Sequence, residues 1–200
     1  MTMLKSIAIA GFKSFGAEVV APLGPLNVLI GANGSGKSNF LEALSFLQAY
    51  APGNIQAYVE RSGGADKILH FGSRQAENVQ LTVDFSDSYH FKLILIPTVS
   101  YGFTTGYVSS GRKAELERLN SWRLYHFYDT GFHSPMKKTP MLHDNRFLRE
   151  DGSNLASLLY LLRERHEGAY RMIRNTIRQV SPFFDDFALE PAALNPDTIR

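Results

Sequence analysis

The run Gly31-Ala32-Asn33-Gly34-Ser35-Gly36-Lys37-Ser38 constrains this chain more than any other segment. It satisfies the pattern G-x-x-x-x-G-K-[ST] without a gap. Glycines let successive backbone N–H groups turn inward without a Cβ clash, which builds a concave anion site at a helix N-terminus. The lysine of such a loop reaches β- and γ-phosphate oxygens as a point charge, and the following hydroxyl binds Mg²⁺. The run therefore reads as a cradle for a nucleoside triphosphate, Mg-ATP. Asn33, Gly34, Ser35, Gly36, Lys37, Ser38 and Asn39 are the nucleotide-binding candidates, and Ser38 is the metal ligand. The plain alternative is a chance glycine-rich turn with a surface lysine, and context decides between the two. Leu26, Val28, Leu29 and Ile30 read as a buried strand running into the loop. Phe40, Leu41, Leu44 and Leu47 repeat at helical spacing behind it, up to Pro52-Gly53. Strand, glycine loop and helix in this order are what the motif requires.

Around that unit, residues 4–10 alternate as a strand, 11–16 form a turn and 18–21 form a second strand. Residues 78–85, 90–97 and 100–108 read as an antiparallel meander, 111–119 as a short helix and 122–128 as another strand. Residues 129–145 are rich in Pro, Gly, Lys and His and read as a loop. A helix starts at Ser153 or Asn154 and carries Leu155, Leu158, Leu159 and Leu162 on one face. It breaks at Glu167-Gly168, resumes over 170–180 and stops at Pro182. The expectation is an α/β fold. It has a P-loop core with an antiparallel β subdomain over 1–128, a loop over 129–152, and a helical segment over 153–200 leading to a further C-terminal lobe.

Composition narrows the function classes. With 200 residues, 44% of them hydrophobic, the chain can bury a sizeable core, and its net charge of +2 lacks the strong positive field of a dedicated nucleic-acid module. The absence of cysteine excludes disulfides, thiolate metal sites and a cysteine nucleophile. His126, His133 and His143 show no metal-ligand spacing. No apolar run approaches the roughly 20 residues of a membrane span, so the reading is cytoplasmic and without a membrane partner. Arg163, Arg165, Arg171, Arg174 and Arg178 form a basic helical stretch, either a contact to a phosphate backbone or a solvated face interrupted by Glu164 and Glu167.

Gly11-Phe12-Lys13-Ser14-Phe15, followed about twenty residues later by the glycine loop and Asn39-Phe40-Leu41-Glu42-Ala43, resembles the ATPase heads of the RecF and SMC group, which are ABC-type ATPases. The segments at 64–72, 122–130 and 148–156 are similar to a bacterial subgroup of RecF-like (AAA/RecF-like) ATPases, so the resemblance spans nearly the whole chain. It implies ATP and Mg²⁺ as cofactors, and Lys13 and Ser14 as part of a turn near the nucleotide, the alternative for Lys13 being an ordinary solvated turn lysine. It places the segment from Lys67 to Phe71 beside the adenine, unless that segment is an ordinary helix or strand end. It further implies ATP-driven homodimerisation of heads in the full protein, with DNA or a nuclease as partner, in DNA repair, chromosome maintenance or anti-phage defence. The family also has an apolar strand ending in Asp-Glu, a Leu-Ser-x-Gly signature and a switch histidine, all in a C-terminal lobe. None is found in this sequence; where a γ-phosphate-sensing glutamine is usual stands Asp129, either a substitute for it or, as Asp is favoured at turns, a plain loop-capping aspartate. The chain thus reads as an N-terminal lobe with no catalytic residue of its own, from an ATPase parent. The alternative is a non-hydrolysing nucleotide-binding module that docks a partner.

Overall fold

A computed structural model describes residues 3–109, 113–125, 131 and 134–199, in two units, Met1–Trp122 and Arg123–Arg200. In the first unit, β1 (Leu4–Ala10), β2 (Val19–Pro22), β3 (Val79–Phe85), β4 (His90–Pro97) and β5 (Phe103–Val108) form one antiparallel sheet in the order β2-β1-β3-β4-β5. Period-two alternation puts Ile7, Ile9, Val79, Leu81, Val83, Phe91, Leu93 and Leu95 in the core. The register sets Ile7 opposite Val83, and Leu81 between Ile9 and Leu93, so these side chains form continuous cross-strand rows. The rows are covered by α1 (Lys37–Tyr50), which buries Ala43, Phe46 and Leu47. Each large side chain fully buried this way contributes about 1.5–3 kcal/mol. Phe46 is the hub, with ring centroids of Phe12, Tyr58 and Phe103 at 5.5, 5.4 and 6.0 Å. Short helices α2 (Ile55–Arg61) and α3 (Ala65–Ile68) and the later α4 (Lys113–Ser121) complete the unit.

Three expectations need correction here. Residues 26–30 form no strand; Leu26 and Ile30 are 85% and 90% exposed, because no strand among the described residues pairs with this segment. Leu41 is exposed rather than on the buried face, which runs instead through Ala43, Phe46 and Leu47. The strand expected at 122–128 is irregular over 122–125, and residues 126–130 lie outside the described residues. With them go His126 and Asp129, as does His133.

The second unit packs α5 (Leu155–Arg165) and α6 (Glu167–Val180) with a hairpin of β6 (Pro191–Ala192) and β7 (Asn195–Ile199) around Leu159, Tyr170, Leu189 and Ile199. The helices part at His166, one residue before the expected break. Asn154 precedes α5 as expected but does not cap it with its side chain. Fully buried, it accepts a hydrogen bond from Arg149 N and donates to the carbonyls of Asp144 and Phe147, tying down the chain before the helix. Among the described residues no helix is long and apolar enough to cross a membrane.

Candidate functional site

Gly36 sits at the N-cap of α1 with φ 92° and ψ 2°, and Gly34 has φ 82°, both in the left-handed region that L side chains avoid. These two reversals curl the loop over the helix end. No side chain caps the helix and its first turn holds no acidic residue, so the N–H groups and the positive end of the dipole stay open to an anion. Asn33, Gly34, Gly36, Lys37, Ser38 and Asn39 line a concavity of about 210 Å³ at this end. Lys37 Nζ donates to the carbonyls of Gly31 and Ala32, each at 2.8 Å, so its ammonium rests on acceptors that the loop lends from its own backbone. The Ser38 hydroxyl has no protein partner among the described residues. Open N–H groups, a lysine on exchangeable acceptors and an uncommitted hydroxyl fit a Mg²⁺-bound triphosphate.

The turn between β1 and β2 lies against this helix. Phe12 and Phe15 exchange backbone hydrogen bonds of 2.9 and 2.8 Å, and Lys13, at φ 47°, is held by its N–H on the Ile68 carbonyl. His70 Nδ1 donates to the Lys13 carbonyl at 2.6 Å, which places the proton on that nitrogen. Ser14 Oγ accepts from Asn39 Nδ2 at 2.8 Å, and the Lys13 ammonium forms an ion pair with Glu42 of α1. Partial burial pulls the Lys13 pKa below its ordinary value. The structure thus brings Lys13, Ser14, Gly36 and Asn39 together, as well as Glu42, which sequence reasoning did not single out. Its signal was the Lys13 and Glu42 pair of opposite charges, unreadable across a separation of 29 positions. Phe71 follows His70 with φ 53°, is 74% exposed and meets the His70 ring edge-on at 4.4 Å between centroids.

The basic stretch separates into individual roles. Arg174 pairs with Asp186, Arg178 with Asp185, and Arg163 donates to the Leu189 carbonyl while stacking on Tyr160. Those three guanidinium groups hold the second unit together, leaving Arg165 and Arg171 on the exposed face. Among the described residues no three His, Asp or Glu side chains gather as a metal site.

Residues 3–101 match the family described as RecF/RecN/SMC N terminal domain. Among curated relatives, the chain is 33% identical over 91 residues to "Chromosome partition protein Smc" of Mycolicibacterium paratuberculosis, covering 42% of this chain and 7% of that protein. It is 28% identical over 148 residues to "Structural maintenance of chromosomes protein 2-2" of Arabidopsis thaliana, covering 66% and 12%. It is 39% identical over 89 residues to "Chromosome segregation protein sudA" of Emericella nidulans, covering 42% and 7%. The chain therefore spans about a tenth of the length of these relatives.

Proposed function

From residues 3–101 as an N-terminal lobe of the RecF/RecN/SMC type, we propose that this chain is the ATP-binding lobe of an ATPase acting in chromosome maintenance. The observation that carries the reading is the open helix end at Gly36, with Lys37 on exchangeable carbonyls. In it, the backbone N–H groups of the loop and Lys37 hold the phosphates, Ser38 ligates Mg²⁺, Asn33, Ser35 and Asn39 shape the rim, and Lys13 and Ser14 approach from the neighbouring turn. Ser38 would hold the Mg²⁺, which would supply positive charge against the negative charge that builds up in phosphoryl transfer.

In the same reading the exposed segment at 26–30 is the edge on which further strands of the full protein complete the nucleotide site. The full protein then dimerises through bound ATP, with DNA or a nuclease as partner and DNA repair or anti-phage defence as further settings. A cytoplasmic location accompanies it.

The test is titration with a fluorescent ATP analogue and Mg²⁺, followed by a phosphate-release assay. Lys37→Ala is expected to weaken binding at least tenfold, since a charge-assisted contact to phosphate is worth about 1.5–3 kcal/mol. Equal binding by the alanine variant rejects the phosphate cradle. Binding without turnover by the full protein would favour the non-hydrolysing, partner-docking alternative.

A further inference from the structure

The turn at Phe12 to Phe15 and the helix α1 meet rung by rung. The Phe12 ring packs at a tilt against Phe46, Lys13 pairs with Glu42, Ser14 holds Asn39, and the Phe15 ring edge lies 3.8 Å from where a Cβ on Gly36 would stand. Helix positions 36, 39, 42 and 46 share one face, so four consecutive turn residues climb the helix from its open end inward. The Lys13 ammonium is accordingly drawn inward, about 4.5 Å further along the axis than the Asn39 rung. Glu42 is the only acidic residue of α1, a helix whose positive end the loop turns toward an anion. Its Oε2 is buried and meets the Lys13 ammonium as an ion pair.

We propose that Glu42 is an internal competitor for the nucleotide, holding Lys13 on the second turn of α1 until a phosphate draws the ammonium to the loop. The proposal rests on the phosphate-binding reading above. Lysine suits the role, because its point charge on a flexible four-carbon stem can swing between two acceptors, which the fixed fork of an arginine does less readily. The pair is partly exposed, with side chains at 24% and 38%, so its hold is modest and a more highly charged triphosphate can outcompete it. Only the fraction of molecules with Lys13 released binds at full strength, which lowers the apparent affinity by that fraction.

The experiment measures the affinity of the fluorescent ATP analogue with Mg²⁺ for wild type, Glu42→Gln, Glu42→Asp, Lys13→Met and the two double variants, with circular dichroism melts on each. Glu42→Gln and Glu42→Asp are both expected to tighten binding by about two- to fivefold, and both gains are expected to vanish beside Lys13→Met. Glu42→Asp separates pairing from field, since it withdraws the carboxylate without changing net charge, and it carries the test if Glu42→Gln does not fold. Unchanged or weaker binding by Glu42→Asp, or a gain that persists beside Lys13→Met, would overturn the proposal. Lys37→Ala distinguishes the two readings: loss of binding there with a flat Glu42 series rejects the competitor alone, whereas wild-type binding rejects the phosphate site and the competitor together.

Discussion

At the residue scale, the left-handed glycines of the loop are not equivalent. A Cβ on Gly34 would enter open space, whereas one on Gly36 would stand 3.0 Å from Ser14 Oγ as well as at φ 92°. Gly34→Ala is therefore expected to cost about 1–2 kcal/mol of backbone strain. Gly36→Ala is expected to cost more and to loosen the Ser14 to Asn39 contact. Chemical denaturation of the two variants checks the order, and equal midpoints would contradict it. Asn154→Ala leaves the Arg149 N–H and two carbonyls without their buried partner, for an expected loss of about 2–4 kcal/mol in the second unit. Asparagine before a run of leucines was legible as a helix start, but its hydrogen bonds to the preceding chain were not. Ncap preference describes local backbone, and those partners are set by how the chain folds back.

At the element scale, carboxylates at two places make stability sensitive to acid. On the sheet, the Ser6 hydroxyl and then the His90 imidazole hold the Asp84 carboxyl below its ordinary value. After α6, the Tyr170 hydroxyl, the Phe187 N–H and Arg174 do the same for Asp186. A depressed folded pKa stabilises the fold fully above the unfolded value of about 3.9 and loses that contribution as pH falls through the folded value. Denaturation midpoints taken from pH 6 down to pH 3 are expected to fall less steeply in Asp84→Asn and Asp186→Asn than in wild type. A parallel decline in all three would refute this. The same ion pairs explain why the basic periodicity of α6 did not translate into a free cationic face. Spacing alone cannot show that Asp185 and Asp186 fold back onto Arg178 and Arg174.

At the scale of the whole molecule, the first unit puts its helices against a sheet of five strands and leaves the strand-like segment before the loop outside that sheet. Backbone amides of Val28, Leu29 and Ile30 are expected to exchange with deuterium far faster than those of Leu81 and Leu93, which sit in a central ladder. Ile30→Ser should change stability by no more than about 0.5 kcal/mol, although the residue reads as core. Protection of those amides comparable to the central strands would show that the segment is paired. Local pattern determined the glycine cradle, the alternating strands β3 and β4 and the helices α1, α5 and α6, because each is specified by neighbours a few positions apart. Only the tertiary structure decided that residues 26–30 stay exposed, that Lys13 meets Glu42 and that Arg174 and Arg178 of α6 are already paired. The physical reason is that burial and ion pairing depend on which distant groups arrive to share them. An apolar run becomes a buried strand only where other strands supply its hydrogen bonds and cover its side chains.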